Sequence, residues 1–328
     1  MKVAVTGASG FLGAWLIKAL VKEGHEVAAV VRSTSDLSFL REVAGDSGWR
    51  PIVADVTRAD EMASVFIGQE AVFHLAAAMG MRRSDAERLF QVNVEGTRNV
   101  VRACAEAGVK RLVHVSSVVA VGASEEPGMV LNEDSKNPFV SEKLKNFEAK
   151  RLAEEIVKDA CSRGAVDAVI VNPSLVYGAG DARKEARSGS VQAARGKVKA
   201  YPIGGVSVVG VEDVVSGMIA AWKKGSKGER YILSGENMSL RDMLFMICDC
   251  AGVARPRRAL PTGLLKFAGA IGEALKLNGP LNRENMRVAT LYHWYDHSKA
   301  TRELGFNPGP ARMAIEQSVQ WMKGHGYA

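Results

Sequence analysis

The chain reads as an α/β protein: a Rossmann-type doubly wound parallel sheet with a smaller, mostly helical C-terminal substrate lobe. Three observations predict it. Short apolar runs alternate with helical patterns through the first half of the chain. The runs are continuous rather than alternating, as strands covered on both faces require. A glycine-rich turn joins the first run to the first helical segment.

Lys2–Thr6 is a β-branched run, and Gly10–Glu23 after it has helical spacing. Glu26–Val31, Pro51–Ala54, Ala71–Leu75, Arg111–Ser116 and Ala168–Asn172 are further strand candidates. Asp85–Ala107 and Asn146–Ser162 are the longest helical stretches between them. The rhythm breaks after Pro173, where Gly178–Gly205 is rich in Gly and Arg. Val206–Val211 and Val214–Lys223 add one strand and one helix, and the chain beyond Tyr231 is mostly helical. There is no internal repeat. This organisation predicts a dinucleotide-binding domain of residues 1–174 plus about 206–224. A substrate lobe then takes 175–205 plus about 225–328.

The 328 residues exceed the usual ~100–200 of one domain, which agrees with two lobes. With 47% hydrophobic and 24% charged residues, the chain is not a disordered one. The net charge of +7 raises nucleic acid as a partner, but the Lys and Arg residues are scattered. Aromatics are only 6%, too few to interleave with a basic stripe, so no nucleic acid is expected. Cys104, Cys161, Cys248 and Cys250 lack metal or redox spacing and read as reduced thiols of a cytoplasmic protein. Glycines 7, 10 and 13 break the apolar N-terminus, so no signal peptide is expected. No apolar run reaches the ~18 residues of a membrane span, so no stable membrane insertion is expected.

The turn Thr6-Gly7-Ala8-Ser9-Gly10-Phe11-Leu12-Gly13 carries the first chemistry. Gly7 permits a tight turn, Gly10 lets a pyrophosphate approach the backbone, and Gly13 lets helix and strand pack closely. Unpaired N–H groups and the dipole at the helix N-terminus then favour the phosphates. The second strand ends Val30-Val31-Arg32-Ser33-Thr34, with no acid for a ribose 2′-hydroxyl. Arg32 and Ser33 suit a 2′-phosphate instead, so NADP(H) is expected ahead of NAD(H).

Further motifs follow in order: Asp55-Val56, His74-Leu75-Ala76-Ala77, Asn93-Val94-Glu95-Gly96-Thr97, Val115-Ser116-Ser117 with Gly122, Asn172-Pro173-Ser174-Leu175-Val176-Tyr177-Gly178, and Ser298-Lys299-Ala300-Thr301-Arg302-Glu303-Leu304-Gly305. With them the chain resembles the extended short-chain dehydrogenase/reductase family of the NAD-dependent epimerase/dehydratase superfamily over almost its full length. It is most similar to dihydroflavonol-reductase-like, 3β-hydroxysteroid-dehydrogenase-like and hopanoid-associated epimerase-like members. The resemblance implies that Asp55 and Val56 meet the adenine, and that Leu75, Ala76, Ala77, Pro173 and Val176 border the cofactor. It also implies a homodimer through the helices carrying the Asn93 and Lys150 motifs.

The family's chemistry uses a serine, a tyrosine as general acid/base, and a lysine that holds the nicotinamide ribose and lowers the phenol's pKa. Ser117 matches the serine, and Lys150-Arg151-Leu152-Ala153-Glu154 matches the lysine and its helix. The tyrosine belongs one helical turn before Lys150, and Asn146 stands there. A second register at Phe139–Lys143 offers Phe in its place. Three readings remain open. Another group delivers the proton: Lys150, a water held by Asn146 and Ser117, or Tyr177. Alternatively, Asn146 and Ser117 stabilise the oxygen of a conjugated enone or quinone during reduction. In the third, chemistry is lost and the fold only binds or senses NADP(H).

The expected function is an NADP(H)-dependent reductase of an apolar carbonyl, enone or quinone, with Ser117, Asn146, Lys150 and Tyr177 as candidate catalytic residues. A non-catalytic NADP(H)-binding protein and a sugar-nucleotide epimerase or dehydratase are the alternatives. Arg183, Lys184, Arg187, Arg195 and Lys197 read as a solvated loop rather than a pyrophosphate cradle. His293 and His297 read as structural, and no metal is expected. Leu264, Leu265, Phe267, Ala268, Ile271, Leu275 and Leu277 read as a core or lid helix.

Overall fold

The structure is a computed structural model that describes residues 1–80, 82–136, 139, 142, 144–183, 188–275 and 282–328. The first half of the chain supplies β1 (Lys2–Thr6), α1 (Phe11–Lys22), β2 (Glu26–Val31), α2 (Ser38–Ala44), β3 (Trp49–Val53), α3 (Ala59–Met62) and β4 (Ala71–His74). Then come α4 (Ala86–Phe90), α5 (Gly96–Glu106), β5 (Arg111–Val115), α6 (Lys145–Ser162) and β6 (Ala168–Pro173). The second half adds β7 (Leu175–Tyr177), α7 (Ser188–Ala194), β8 (Ala200–Pro202), β9 (Gly205–Gly210), α8 (Val211–Lys224), β10 (Arg230–Leu233) and β11 (Glu236–Ser239). Last are α9 (Leu240–Ala251), β12 (Arg258–Leu260), α10 (Thr262–Ala274), α11 (Arg283–Val288), α12 (Ser298–Leu304) and α13 (Ala311–Gly324).

Seven parallel strands form the large sheet in the order β10-β6-β5-β4-β1-β2-β3. Both faces are covered, which explains why the strands are continuously apolar. Val3 and Val5 of β1 pack with Phe11, Leu16 and Val214 of one layer, while Ala4 between them packs with Val100 and Val157 of the other. Pro51 is tolerated because β3 is an edge strand. The strand order reverses between β1 and β4, the switch point beyond whose carboxyl ends sheets of this kind receive their ligands.

Two elements fall differently from their expected places. Arg230–Leu233, expected in the second lobe, is the edge strand β10 of the large sheet and pairs with β6. The preceding α8 lies on β5 and β6 and returns the chain parallel to them. Conversely, β9 was expected with the first domain but lies in a small sheet ordered β11-β9-β7. That sheet and α7, α9 and α13 enclose a separate core around Tyr177, Ile247 and Ile315. The single long helix expected over Asp85–Ala107 is divided, with a π-helical turn at Gln91–Glu95 between α4 and α5.

The expected core role of the α10 stripe is corrected. Leu265 is buried, but Leu264, Phe267, Ile271 and Leu275 are exposed. Small residues face inward instead: a Cβ on Gly269 would lie 3.0 Å from Met286 Cβ, so α10 meets α11 through its glycine side. Leu277, Lys184 and Arg187 lie outside the described residues. No described helix is long and apolar enough to cross a membrane.

Candidate active site

The turn after β1 is built almost wholly from backbone. Gly7 has φ +69°, and a Cβ there would approach Ala76 N to 2.7 Å, so only glycine fits against the end of β4. A Cβ on Gly13 would sit 2.4 Å from Gly7 O and 2.9 Å from Ala8 Cα, which makes glycine the condition for seating α1 against the turn. Gly10 is the exposed N-cap of α1 and brings no side-chain cap, so the helix N-terminus faces outward through bare backbone. Ser9 and Leu12 are half-buried beside it, and Phe11 is buried. The feature suited to a pyrophosphate is the bare N-terminus of α1, whereas Gly7 and Gly13 are glycine because a Cβ would collide with the protein's own backbone.

Thr6 is corrected from a contact to a support. It is fully buried, and its Oγ1 accepts hydrogen bonds from Leu75 N and Ala76 N, both 3.2 Å. A directed chain runs on from it. Thr97 Oγ1 donates to the Asn93 carbonyl (2.6 Å), so it accepts from His74 Nε2 (3.1 Å). His74 Nδ1 is then the acceptor for the Thr6 hydroxyl at 2.7 Å. Burial, and secondarily the Lys150 charge, pushes His74 down to about 3, which keeps this tautomer neutral. The glycine turn, the end of β4 and the π-helical turn are thereby bound to one another.

At the adenosine end, Arg32 and Ser33 are exposed after β2. The acid that follows, Asp36, is already engaged. It accepts from Ser38 N (2.9 Å) and Ser38 Oγ (2.8 Å) and pairs with Arg183 (3.3 Å). Those serine bonds, more than Arg183, hold its carboxyl below the usual range. Asp55 closes its own turn through Thr57 N and Oγ1, and Val56 is buried against Gly96. Ala77 is exposed, Leu75 and Ala76 are half-buried, and Pro173 and Val176 are buried.

The catalytic candidates are only partly brought together. Lys150 Nζ lies 3.5 Å from the Val115 carbonyl, two residues before Ser117. Burial lowers the ammonium to about 8, against the opposing pull of Glu154 one helical turn on. Ser117 Oγ accepts a long bond from Val119 N at 3.4 Å, which leaves its hydroxyl hydrogen available to donate. Asn146, expected beside the substrate oxygen, is anchored on backbone. Its Nδ2 donates one hydrogen to Gly80 O (2.8 Å) and its Oδ1 accepts from Gly80 N (3.3 Å), a two-bond ring with one backbone residue. Tyr177 is corrected as a proton donor. It is buried in the second core, with its hydroxyl on Ser190 Oγ (2.9 Å) and Met243 Sδ (3.5 Å).

Sequence reasoning missed the support behind Ser117. The buried Glu154 carboxylate accepts from Ser116 Oγ (2.6 Å), Asn172 Nδ2 (2.5 Å) and Arg230 Nη1 (3.4 Å). Asn172 Nδ2 also reaches Ser117 O at 2.9 Å. One carboxylate thus joins α6 to the ends of β5 and β6 and to β10. The signal was present in the run Lys150–Glu154, where the acid lies one turn from the lysine on the same face. His293 and His297 do not face a common point. His293 binds the Val288 carbonyl and the Tyr295 hydroxyl, whereas His297 meets Ser234.

With this geometry, the likenesses to known proteins become informative. The model of the NAD dependent epimerase/dehydratase family matches residues 3–234. A protein of Synechocystis sp., provisionally named a dihydroflavonol 4-reductase, is 33% identical over 98% of this chain and 95% of its own. Sterol demethylase protein B of Methylococcus capsulatus is 32% identical, with 99% of each chain covered. The crystal structure of gox2253 superposes with a TM-score of 0.86 at 33% identity, covering 99% of this chain and 98% of that one.

Proposed function

The chain belongs to the NAD-dependent epimerase/dehydratase family, and from that premise we propose that it is an NADP(H)-dependent reductase of an apolar carbonyl or conjugated enone or quinone. One observation carries this: Lys150 Nζ lies 3.5 Å from the Val115 carbonyl, two residues before Ser117, with its ammonium lowered to about 8 by burial, while the position of the family's phenol is taken by Asn146. An ammonium so tuned is a competent general acid near neutral pH. Reductase names among the relatives and the sterol in one of them support an apolar, reducible substrate.

When bound, NADPH supplies the hydride. The chain's own residues do the rest. The α1 N-terminus and the glycine turn receive the pyrophosphate. Arg32 and Ser33 receive the 2′-phosphate, and the Asp36 carboxylate nearby is offset by its pairing with Arg183. Ser117 donates a hydrogen bond to the substrate oxygen, and Lys150 gives that oxygen its proton and regains one from solvent. A second copy of the chain docks on the groove between α5 and α6, lined by Arg98, Leu152 and Ile156.

The test is isotopic. NADPH deuterated at C4, on each face in turn, is incubated with a panel of apolar ketones, enones and quinones. The label is expected in product from one face only. Tight NADPH binding with no transfer across the panel would instead support a binding or sensing protein. Stable binding of a uridine or thymidine diphosphate sugar would favour an epimerase or dehydratase.

A further inference from the structure

The segment after β4 is held at four successive points. Thr6 Oγ1 takes Leu75 N and Ala76 N, each at 3.2 Å. Asn93 pairs with both polar atoms of Ala78: Ala78 N donates to Oδ1 (2.8 Å) and Nδ2 donates to Ala78 O (3.0 Å). Arg88 Nη2 donates to Met79 O at 2.9 Å. Asn146 repeats the Asn93 pairing on Gly80, at 3.3 and 2.8 Å. Ala78 and Gly80 are buried, whereas Ala77 and Met79 between and before them are exposed, Met79 by 58%. Two side-chain amides therefore pair with the backbone of one segment at alternate residues, Ala78 and Gly80.

An asparagine suits this task in a way that a tyrosine does not. A primary amide presents one acceptor and one donor at the separation of a residue's N–H and C=O, so it closes a two-bond ring with backbone. A phenol offers a single hydroxyl. Close approach matters too, since a Cβ on Gly80 would lie 2.5 Å from Asp85 Cβ and 3.0 Å from Leu89 Cδ1. The π-helical turn at Gln91–Glu95 carries the matching amide, Asn93, which is itself 3% exposed. Thr97 Oγ1, bound to the Asn93 carbonyl, ties that turn back to His74 and Thr6.

We propose that Asn146 is a positioning residue: with Asn93 it latches the backbone of Ala78–Gly80 and so sets Ala77 and Met79 at the rim of the reaction site. The position that serves acid–base chemistry in the family serves backbone recognition in this chain. Met79, projecting between the two latched residues, becomes an apolar specificity contact for the substrate. This step rests on the reductase reading only for what Met79 meets; the latch itself is made by the chain's own residues.

Amide hydrogen exchange, resolved to single residues, tests the latch without any substrate. In Asn146→Ala, Gly80 N–H is expected to exchange about tenfold faster or more, while Ala78 N–H stays within about threefold; Asn93→Ala should reverse the pattern. An unchanged Gly80 rate, or acceleration spread evenly over the chain, would overturn the proposal. Steady-state kinetics supplies a second readout: KM for the organic substrate rises about tenfold and kcat moves less than about threefold, the signature of lost positioning. A fall in kcat of about a hundredfold at constant KM would make Asn146 a group acting on the reacting oxygen and would overturn it. If no hydride transfer is found with any substrate, the reductase reading fails, and the exchange result still decides the latch.

Discussion

The turn after β1 and the mouth of α6 both lie on the carboxyl-end side of the same sheet, yet they are built by opposite means. The turn is a backbone device in which Gly7, Gly10 and Gly13 contribute the absence of side chains. The mouth of α6 is a side-chain device. Ser117, Asn146, Lys150 and Glu154 each take their role from whichever partner lies opposite. A backbone device is specified by local spacing, so its chemistry follows from sequence. For a side-chain device, spacing fixes the position of a group and leaves its partner, and therefore its task, to the fold.

Breaking the turn should have the largest effect. Gly13→Val places a branched carbon against Gly7 O and Ala8 Cα, positions that cannot retreat. Overpacking of about 3 kcal/mol there corresponds to at least about a hundredfold loss of NADPH affinity, readable by fluorescence titration. At the α6 side, Ser117→Ala removes one hydrogen bond to the substrate oxygen. We expect kcat to drop about tenfold to a hundredfold while NADPH binding stays unchanged, which separates the two devices in one pair of measurements. The smallest effect belongs to the exposed Arg32. Arg32→Ser should raise KM for NADPH about tenfold or less and leave KM for NADH alone, because a solvent-exposed phosphate contact is worth about 1 kcal/mol.

The large sheet was legible because burial on both faces leaves a run such as Val3-Ala4-Val5 only one way to sit. The glycine turn was legible for the reason just given. Other features depended on contacts distant in sequence. Nothing local distinguishes Arg230–Leu233 from a strand of the second lobe; the crossover through α8 makes it an edge of the first. The α10 stripe misled because large apolar residues normally face inward, whereas here Gly269 needs close contact with α11 and turns Phe267 and Leu275 to solvent. Thr6 and Asn93 belong to motifs recognised from sequence, but their hydrogen-bond partners come from β4 and the loop beyond it. In sequence Asn146 is a departure from the family's pattern, and only Gly80 opposite it gives that departure a meaning.

The most direct measurement of the central claim, that Lys150 rather than a phenol supplies the proton, is the pH dependence of kcat/KM for reduction. Burial holds the Lys150 ammonium at about 8, so the acid form is present below that pH and is lost above it. The predicted profile is level up to about pH 8 and then falls about tenfold per pH unit, with this limb absent from the residual activity of Lys150→Met. A rate that stays level to about pH 10, or a limb that persists unchanged in Lys150→Met, would contradict the assignment of Lys150 as the acid.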